Sequence, residues 1–135
     1  MPARCRSITE GGGLLMITQG LRAYNPEQLV ELLGDSNEAI NEVLKIASDV
    51  LPRAAKRLCE GGLSTKEGRS VAHQLKGAAL TAGAEELAHL AAELEFELNG
   101  DWTPRARTLV TSLPPAVRRF IASVAAYLHD HPVQA

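Results

Sequence analysis

The segment at residues 64–83 reads STKEGRSVAHQLKGAALTAG, and it determines the interpretation of the rest of the chain. It opens with Ser64 and has Glu67 three residues later, the spacing of a capping box at a helix start. Gly83 suits the left-handed turn that ends a helix. Between them, apolar residues recur at helical spacing and predict a core face: Val71, Leu75, Ala78 and Ala82.

Two helices are predicted before this segment. A short helix covers residues 26–33, because Pro26 suits the first helical position. Either Asp35 or Ser36 caps the next helix, whose apolar residues keep a helical period to about residue 59. Both elements are therefore predicted to present one apolar face to a core.

Two further helices are predicted after the segment. One covers residues 85–98, and the last begins at Thr103-Pro104. In the last helix the apolar period continues in register through Pro114-Pro115. That pattern predicts one kinked or broken helix and not two unrelated ones.

Four long helices joined by short loops bury their apolar stripes best as an antiparallel bundle. The predicted fold is therefore all-α: an antiparallel up-down four-helix bundle with a short N-terminal capping helix. The bundle is expected at residues 21–131, after a flexible lead or linker remnant at 1–20 and before a tail at 132–135. A length of 135 residues suits one domain, and an aromatic content of only 4% favours helices over a β-sandwich.

Charge and cysteine content argue against several classes of function. A net charge of -2 disfavours nucleic-acid binding, which normally requires a basic excess. Cys5 and Cys59 form neither a disulfide framework nor a metal-binding motif, so a reducing cytoplasm is the expected location and no metal site is predicted. The apolar run at residues 14–17 is too short to span a bilayer, and no membrane contact is expected.

The central helix carries His73 on the face opposite its core. Helical periodicity places five further residues on that outer side: Arg69, Ser70, Lys76, Gly77 and Leu80. An exposed imidazole with a near-neutral pKa offers an unprotonated nitrogen to a phosphoryl electrophile. Lys76, three residues on, could offset the charge of that phosphoryl group.

The glycine and leucine on this outer face indicate contact with another protein. Gly77 costs the helix about 1 kcal/mol relative to alanine, so its presence mid-helix requires an explanation. A missing side chain beside His73 allows a partner's backbone to approach closely. Leu80 is apolar yet points outward, as expected for part of a docking patch.

The following helix supplies a group that could orient the imidazole. Small residues and one acid lie along one flank of that helix: Ala84, Ala88, Ala92 and Glu95. If this flank meets the His73 helix, the small side chains permit close packing and Glu95 can reach Nδ1. A carboxylate that accepts the Nδ1 proton fixes the tautomer and leaves Nε2 as the nucleophile.

The motif at residues 72–79, followed by Gly83-Ala84 and Leu94-Glu95, resembles the histidine-containing phosphotransfer (HPt) domain family of multistep two-component phosphorelays. The resemblance covers residues 26–98, and the last helix by pattern only. It implies that His73 is phosphorylated, with Lys76 offsetting charge and Glu95 holding the imidazole. The residues it implies for receiver docking are Arg69, Ser70, Gln74, Gly77 and Leu80.

The resemblance also implies a function. His73 would accept a phosphoryl group from a receiver-domain aspartate and pass it to the aspartate of another receiver. The implied partners are response-regulator receiver domains and a hybrid sensor histidine kinase. The protein would act as a monomer without kinase activity of its own. No cofactor is expected, because the Mg²⁺ belongs to the partner receiver.

Two other classes of function remain open from the residues alone. A helical interaction module would dock signalling partners without phosphotransfer, and replacing His73 would leave its function unchanged. An enzyme that uses the His73–Glu95 pair as a general base would need a concave pocket around the histidine. A convex surface with an exposed His73 would count against the enzyme.

Overall fold

The computed structural model describes residues 20–132, and over this range the fold is all-helical. Its elements are α1 (Pro26–Leu33), α2 (Asn37–Glu60), α3 (Thr65–Ala82), α4 (Glu85–Glu97) and α5 (Pro104–Asp130). None of these helices is long and apolar enough to cross a membrane. The predicted lead and tail lie outside the described residues, apart from Gly20 and Pro132.

A side-chain cap marks the start of every helix except α4. Ser36, and not Asp35, caps α2, because its hydroxyl accepts a hydrogen bond from the Ala39 N–H at 3.2 Å. Both halves of the predicted capping box form at α3. The Glu67 N–H donates to the Ser64 hydroxyl at 3.1 Å, and the Ser64 N–H donates to the Glu67 carboxylate at 2.9 Å. A fixed start for α3 also fixes which of its residues face outward.

Helices α2 to α5 pack as the predicted four-helix bundle. Helix α3 contacts α2 and α4, and α5 contacts the same two helices, so α3 and α5 occupy diagonal corners. Helix α1 packs across one end, against α2 and α3. The His73 helix therefore has its neighbours on two sides and solvent on the outer side.

The segment before α1 is hydrogen-bonded to the turn between α3 and α4. The Asn25 N–H donates to the Gly83 carbonyl at 2.7 Å. Glu85 accepts from the Arg22 N–H at 3.0 Å and from the Asn25 side-chain amide at 2.6 Å. A Cβ on Gly83 would lie 2.7 Å from the Asn25 carbonyl oxygen, so this close approach requires glycine.

The core is filled mainly by aliphatic side chains, with Phe120 as its largest fully buried residue. On α5, Phe120 is buried while Ile121 lies partly in solvent. On α3 the prediction is wrong in one respect, because Ala79 is buried where Ala78 was expected and Ala78 is only partly buried against the core. The buried face of α3 is therefore broader than predicted, but it does not include His73.

Helix α5 continues without a break through Pro114-Pro115. Pro114 has no N–H to donate to the carbonyl four residues earlier, that of Val110. That carbonyl instead faces the Cys59 thiol of α2, with an S···O distance of 3.7 Å. Burial raises the pKa of the Cys59 thiol, which keeps it protonated and able to donate. A weak hydrogen bond between helices thus replaces one that proline removes.

Candidate functional site

His73 lies in the middle of α3, and its side chain is 66% exposed. Val71 and Leu75 are buried on the opposite side of the helix, so the imidazole is directed away from the core as predicted. The ring is therefore accessible to a reactant carried by another protein.

Glu95 of α4 holds the imidazole of His73. Its Oε2 atom lies 2.8 Å from Nδ1, which confirms the predicted contact between the two side chains. Helix α4 meets α3 here through small side chains of the predicted flank, because Ala88 and Ala92 line one concavity together with Lys76 of α3. A carboxylate accepts but does not donate, so the neutral imidazole carries its proton on Nδ1 and has its lone pair on Nε2.

The same carboxylate binds Lys76. Glu95 Oε1 lies 2.7 Å from the Lys76 Nζ, so one side chain bridges the lysine and the histidine. The Lys76 ammonium, and to a smaller extent the imidazole of His73, hold the pKa of the Glu95 carboxyl below its usual value, although desolvation opposes them. Lys76 therefore helps to keep ionised the group that orients His73.

This contact of Lys76 was missed by the sequence reasoning. The spacing of Lys76 from His73 placed the ammonium beside the imidazole, but it did not indicate a carboxylate on another helix as its partner. Only the packing of α3 against α4 brings the three side chains together. The predicted role of Lys76 toward a phosphoryl group remains a prediction.

The remaining predicted residues lie on the outer side of α3. The exposed members of this set are Arg69, Ser70, Gln74, Gly77 and Leu80. A Cβ built on Gly77 meets no atom within 4 Å, so no contact within the described residues requires a glycine there. The helix cost of Gly77 therefore has no explanation in the packing of residues 20–132.

Phe96 is a second feature that the sequence reasoning missed. Its side chain is 75% exposed, directly after Glu95 in α4. The signal was available, because an aromatic residue there lies away from the leucines that form the buried stripe of α4. A large apolar side chain thus stands in solvent next to the His73–Glu95 pair.

Two kinds of chemistry are not supported by this arrangement. Within residues 20–132, no three His, Cys, Asp or Glu side chains converge as they would to hold a metal ion. A general-base enzyme would surround its substrate, whereas the side chain of His73 is two-thirds exposed. The imidazole of His73 thus lies at the protein surface.

The fold and the site together present an exposed, carboxylate-held histidine on a four-helix bundle. Residues 27–127 match the family model described as Hpt domain, and this chain belongs to that family. The match includes most of α5, for which the resemblance rested on pattern alone. No curated protein and no solved structure matches the chain. Hpt domains act in histidine phosphotransfer within phosphorelays, together with receiver domains and kinases.

Proposed function

We propose that this protein is a phosphorelay intermediate. His73 accepts a phosphoryl group from the aspartyl phosphate of one receiver domain and passes it to the aspartate of another. The observation that carries the proposal is the Glu95 carboxylate at 2.8 Å from Nδ1 of an exposed imidazole. This arrangement leaves Nε2 as a nucleophile where a second protein can reach it.

Phosphoryl transfer requires in-line approach and little other covalent chemistry. Nε2 attacks the phosphorus atom, the new N–P bond forms, and the bond from phosphorus to the receiver's aspartate oxygen breaks with its electron pair leaving on that carboxylate. The ring gains positive charge, which the Glu95 carboxylate stabilises through the Nδ1 proton. In the onward step the second receiver's aspartate attacks, and the N–P electron pair returns to Nε2.

The other side chains have supporting roles in this proposal. Lys76 is 30% exposed and holds Glu95 ionised, and in this proposal its ammonium also offsets part of the phosphoryl charge. The Mg²⁺ that phosphoryl transfer uses is assigned to the receiver, so this chain needs no cofactor of its own. We further propose that the protein acts as a monomer in the cytoplasm, between a hybrid sensor histidine kinase and response regulators.

The direct test is incubation with phosphorylated receiver domains, followed by mass analysis and acid treatment. The expected product carries one acid-labile, alkali-stable phosphoryl group, which is absent from His73→Gln. His129→Gln is the matched control, because His129 is an exposed histidine of α5, on the corner of the bundle diagonal to α3, and should not affect labelling. Labelling of His73→Gln at the wild-type level would contradict the proposal. No uptake from any receiver would favour an interaction module without phosphotransfer.

A further inference from the structure

Phe96 has the most exposed large apolar side chain among the described residues. An aromatic ring in solvent forgoes the free energy that its burial would release. This exposure makes the Phe96 ring a candidate contact for a partner, because aromatic residues are enriched among the anchors of protein interfaces.

Phe96 lines a concavity at the junction of α3 and α4. Arg69 and Lys76 contribute to it from α3, Ala92 and Glu95 contribute from α4, and Asn99 contributes from the loop after α4. Lys76 is bound to Glu95, whereas the exposed Arg69 forms no ion pair with residues 20–132. The concavity therefore combines an apolar wall with a cation available to a partner.

A second concavity continues along the same junction. It shares Lys76 and Ala92 with the first, and it adds the 52% exposed side chain of Leu80 and the small Ala88. Ser70 and Gln74 line neither concavity. The junction thus presents apolar side chains on both sides of the Lys76–Glu95 pair.

We propose that the receiver domain binds across this α3–α4 junction, with Phe96 as its apolar anchor at one end and Leu80 at the other. The inference rests on the proposed function and names the surface that recognises the partner. A receiver that delivers an aspartyl phosphate presents an anionic centre, which Arg69 and Lys76 complement in charge. Apolar anchors around a charged centre then determine which receivers bind, so Phe96 is a specificity-determining residue.

The test uses those receivers of a panel that phosphorylate the wild-type protein. Phosphotransfer rates are measured as a function of receiver concentration. Phe96→Ala should raise the KM for the receiver about tenfold and change kcat by less than about twofold, because the substitution removes docking surface and leaves the nucleophile intact. Ile121→Ala is the matched control, since it truncates a partly exposed apolar side chain on α5, diagonal to α3. It should leave KM unchanged.

Labelling by phosphoramidate separates this inference from the proposed function, because a small phosphodonor needs no docking surface. Phe96→Ala should be labelled at His73 by phosphoramidate as fast as the wild-type protein. A wild-type KM for Phe96→Ala, or an equal rise in KM for Ile121→Ala, overturns the docking inference and leaves phosphotransfer standing. If no receiver phosphorylates the wild-type protein, the proposed function fails and the docking inference fails with it.

Discussion

The two carboxylate oxygens of Glu95 have different partners, Nδ1 of His73 at 2.8 Å and Nζ of Lys76 at 2.7 Å. Glu95→Ala removes both contacts and frees the imidazole to change tautomer and orientation. We expect phosphoryl uptake to slow roughly 10- to 100-fold, as when carboxylates that orient metal-bound histidines are removed. Rapid-quench kinetics with a phosphorylated receiver measure the rate of phosphoryl uptake. Glu95→Gln keeps an acceptor oxygen and should slow this uptake less than Glu95→Ala. An unchanged rate in Glu95→Ala would remove this residue from the mechanism.

The lowered pKa of Glu95 predicts a pH dependence. The interactions of a carboxyl group with a lowered pKa are fully present above its usual pKa of about 4.3. They are lost as the pH falls through the lowered pKa. Because Lys76 is the largest cause, Lys76→Met should move the Glu95 titration to higher pH. The side-chain carboxyl ¹³C shift of Glu95 reports the midpoint by NMR. The control Lys45→Met changes an exposed residue of α2 and should leave the Glu95 midpoint unchanged. An unchanged midpoint in Lys76→Met would contradict the assignment of Lys76 as the largest cause.

Gly77 should show opposite effects on stability and on function. A methyl group there meets no atom within 4 Å, so Gly77→Ala should raise the free energy of unfolding by roughly 0.5 to 1 kcal/mol through helix propensity. The same methyl group stands where a receiver's backbone is proposed to approach, so transfer from receivers should slow while phosphoramidate labelling does not. Urea unfolding and the two labelling rates measure this. A more stable variant with unchanged receiver kinetics would show that Gly77 gives no clearance.

At the scale of single elements, the capping box of α3 positions the His73 face. Ser64→Ala removes the acceptor for the Glu67 N–H and should lower the free energy of unfolding by about 1 kcal/mol. Ser70→Ala is the control, since it makes the same substitution at an exposed position inside α3 where alanine is the better helix former. Denaturant unfolding followed by circular dichroism compares them. Equal effects of both substitutions would argue that the capping box does not stabilise α3.

The helices also show where sequence reasoning stops. Caps and apolar periodicity are local, and they predicted all five helices and the exposure of His73. The continuity of α5 through Pro114-Pro115 could not be predicted in the same way. There the Val110 carbonyl that loses its helical donor is satisfied by Cys59, which lies 51 residues away in the chain. The Lys76–Glu95 contact could not be predicted for the same reason, because each of these two contacts depends on how two helices pack against each other.

At the scale of the whole molecule, Trp102 closes the connection between α4 and α5 against the first turn of α3. Its Nε1–H donates to the Leu63 carbonyl at 2.9 Å, and a Cβ on Gly68 would lie 2.6 Å from the ring carbon Cζ2. Gly68→Ala should therefore displace the ring and lower the free energy of unfolding by roughly 1 to 3 kcal/mol.

Fluorescence reports this displacement directly, because Trp102 is the single tryptophan of the chain. Gly77→Ala is the matched control, being the same substitution in the same helix without any neighbour to displace. A Gly68→Ala variant as stable as the wild-type protein, with an unshifted emission maximum, would show that the ring adjusts without cost.

The diagonal placement of α3 and α5 has a practical consequence for measurement. In a variant whose native Cys5 and Cys59 are replaced by serine, a tether attached through Ala125→Cys, an exposed position on α5, would hold the protein on a sensor chip by the corner diagonal to the imidazole of His73. Immobilised in that orientation, the whole outer side of α3 would face the flowing solution. Residence times of successive receivers could then be recorded on one and the same loaded surface.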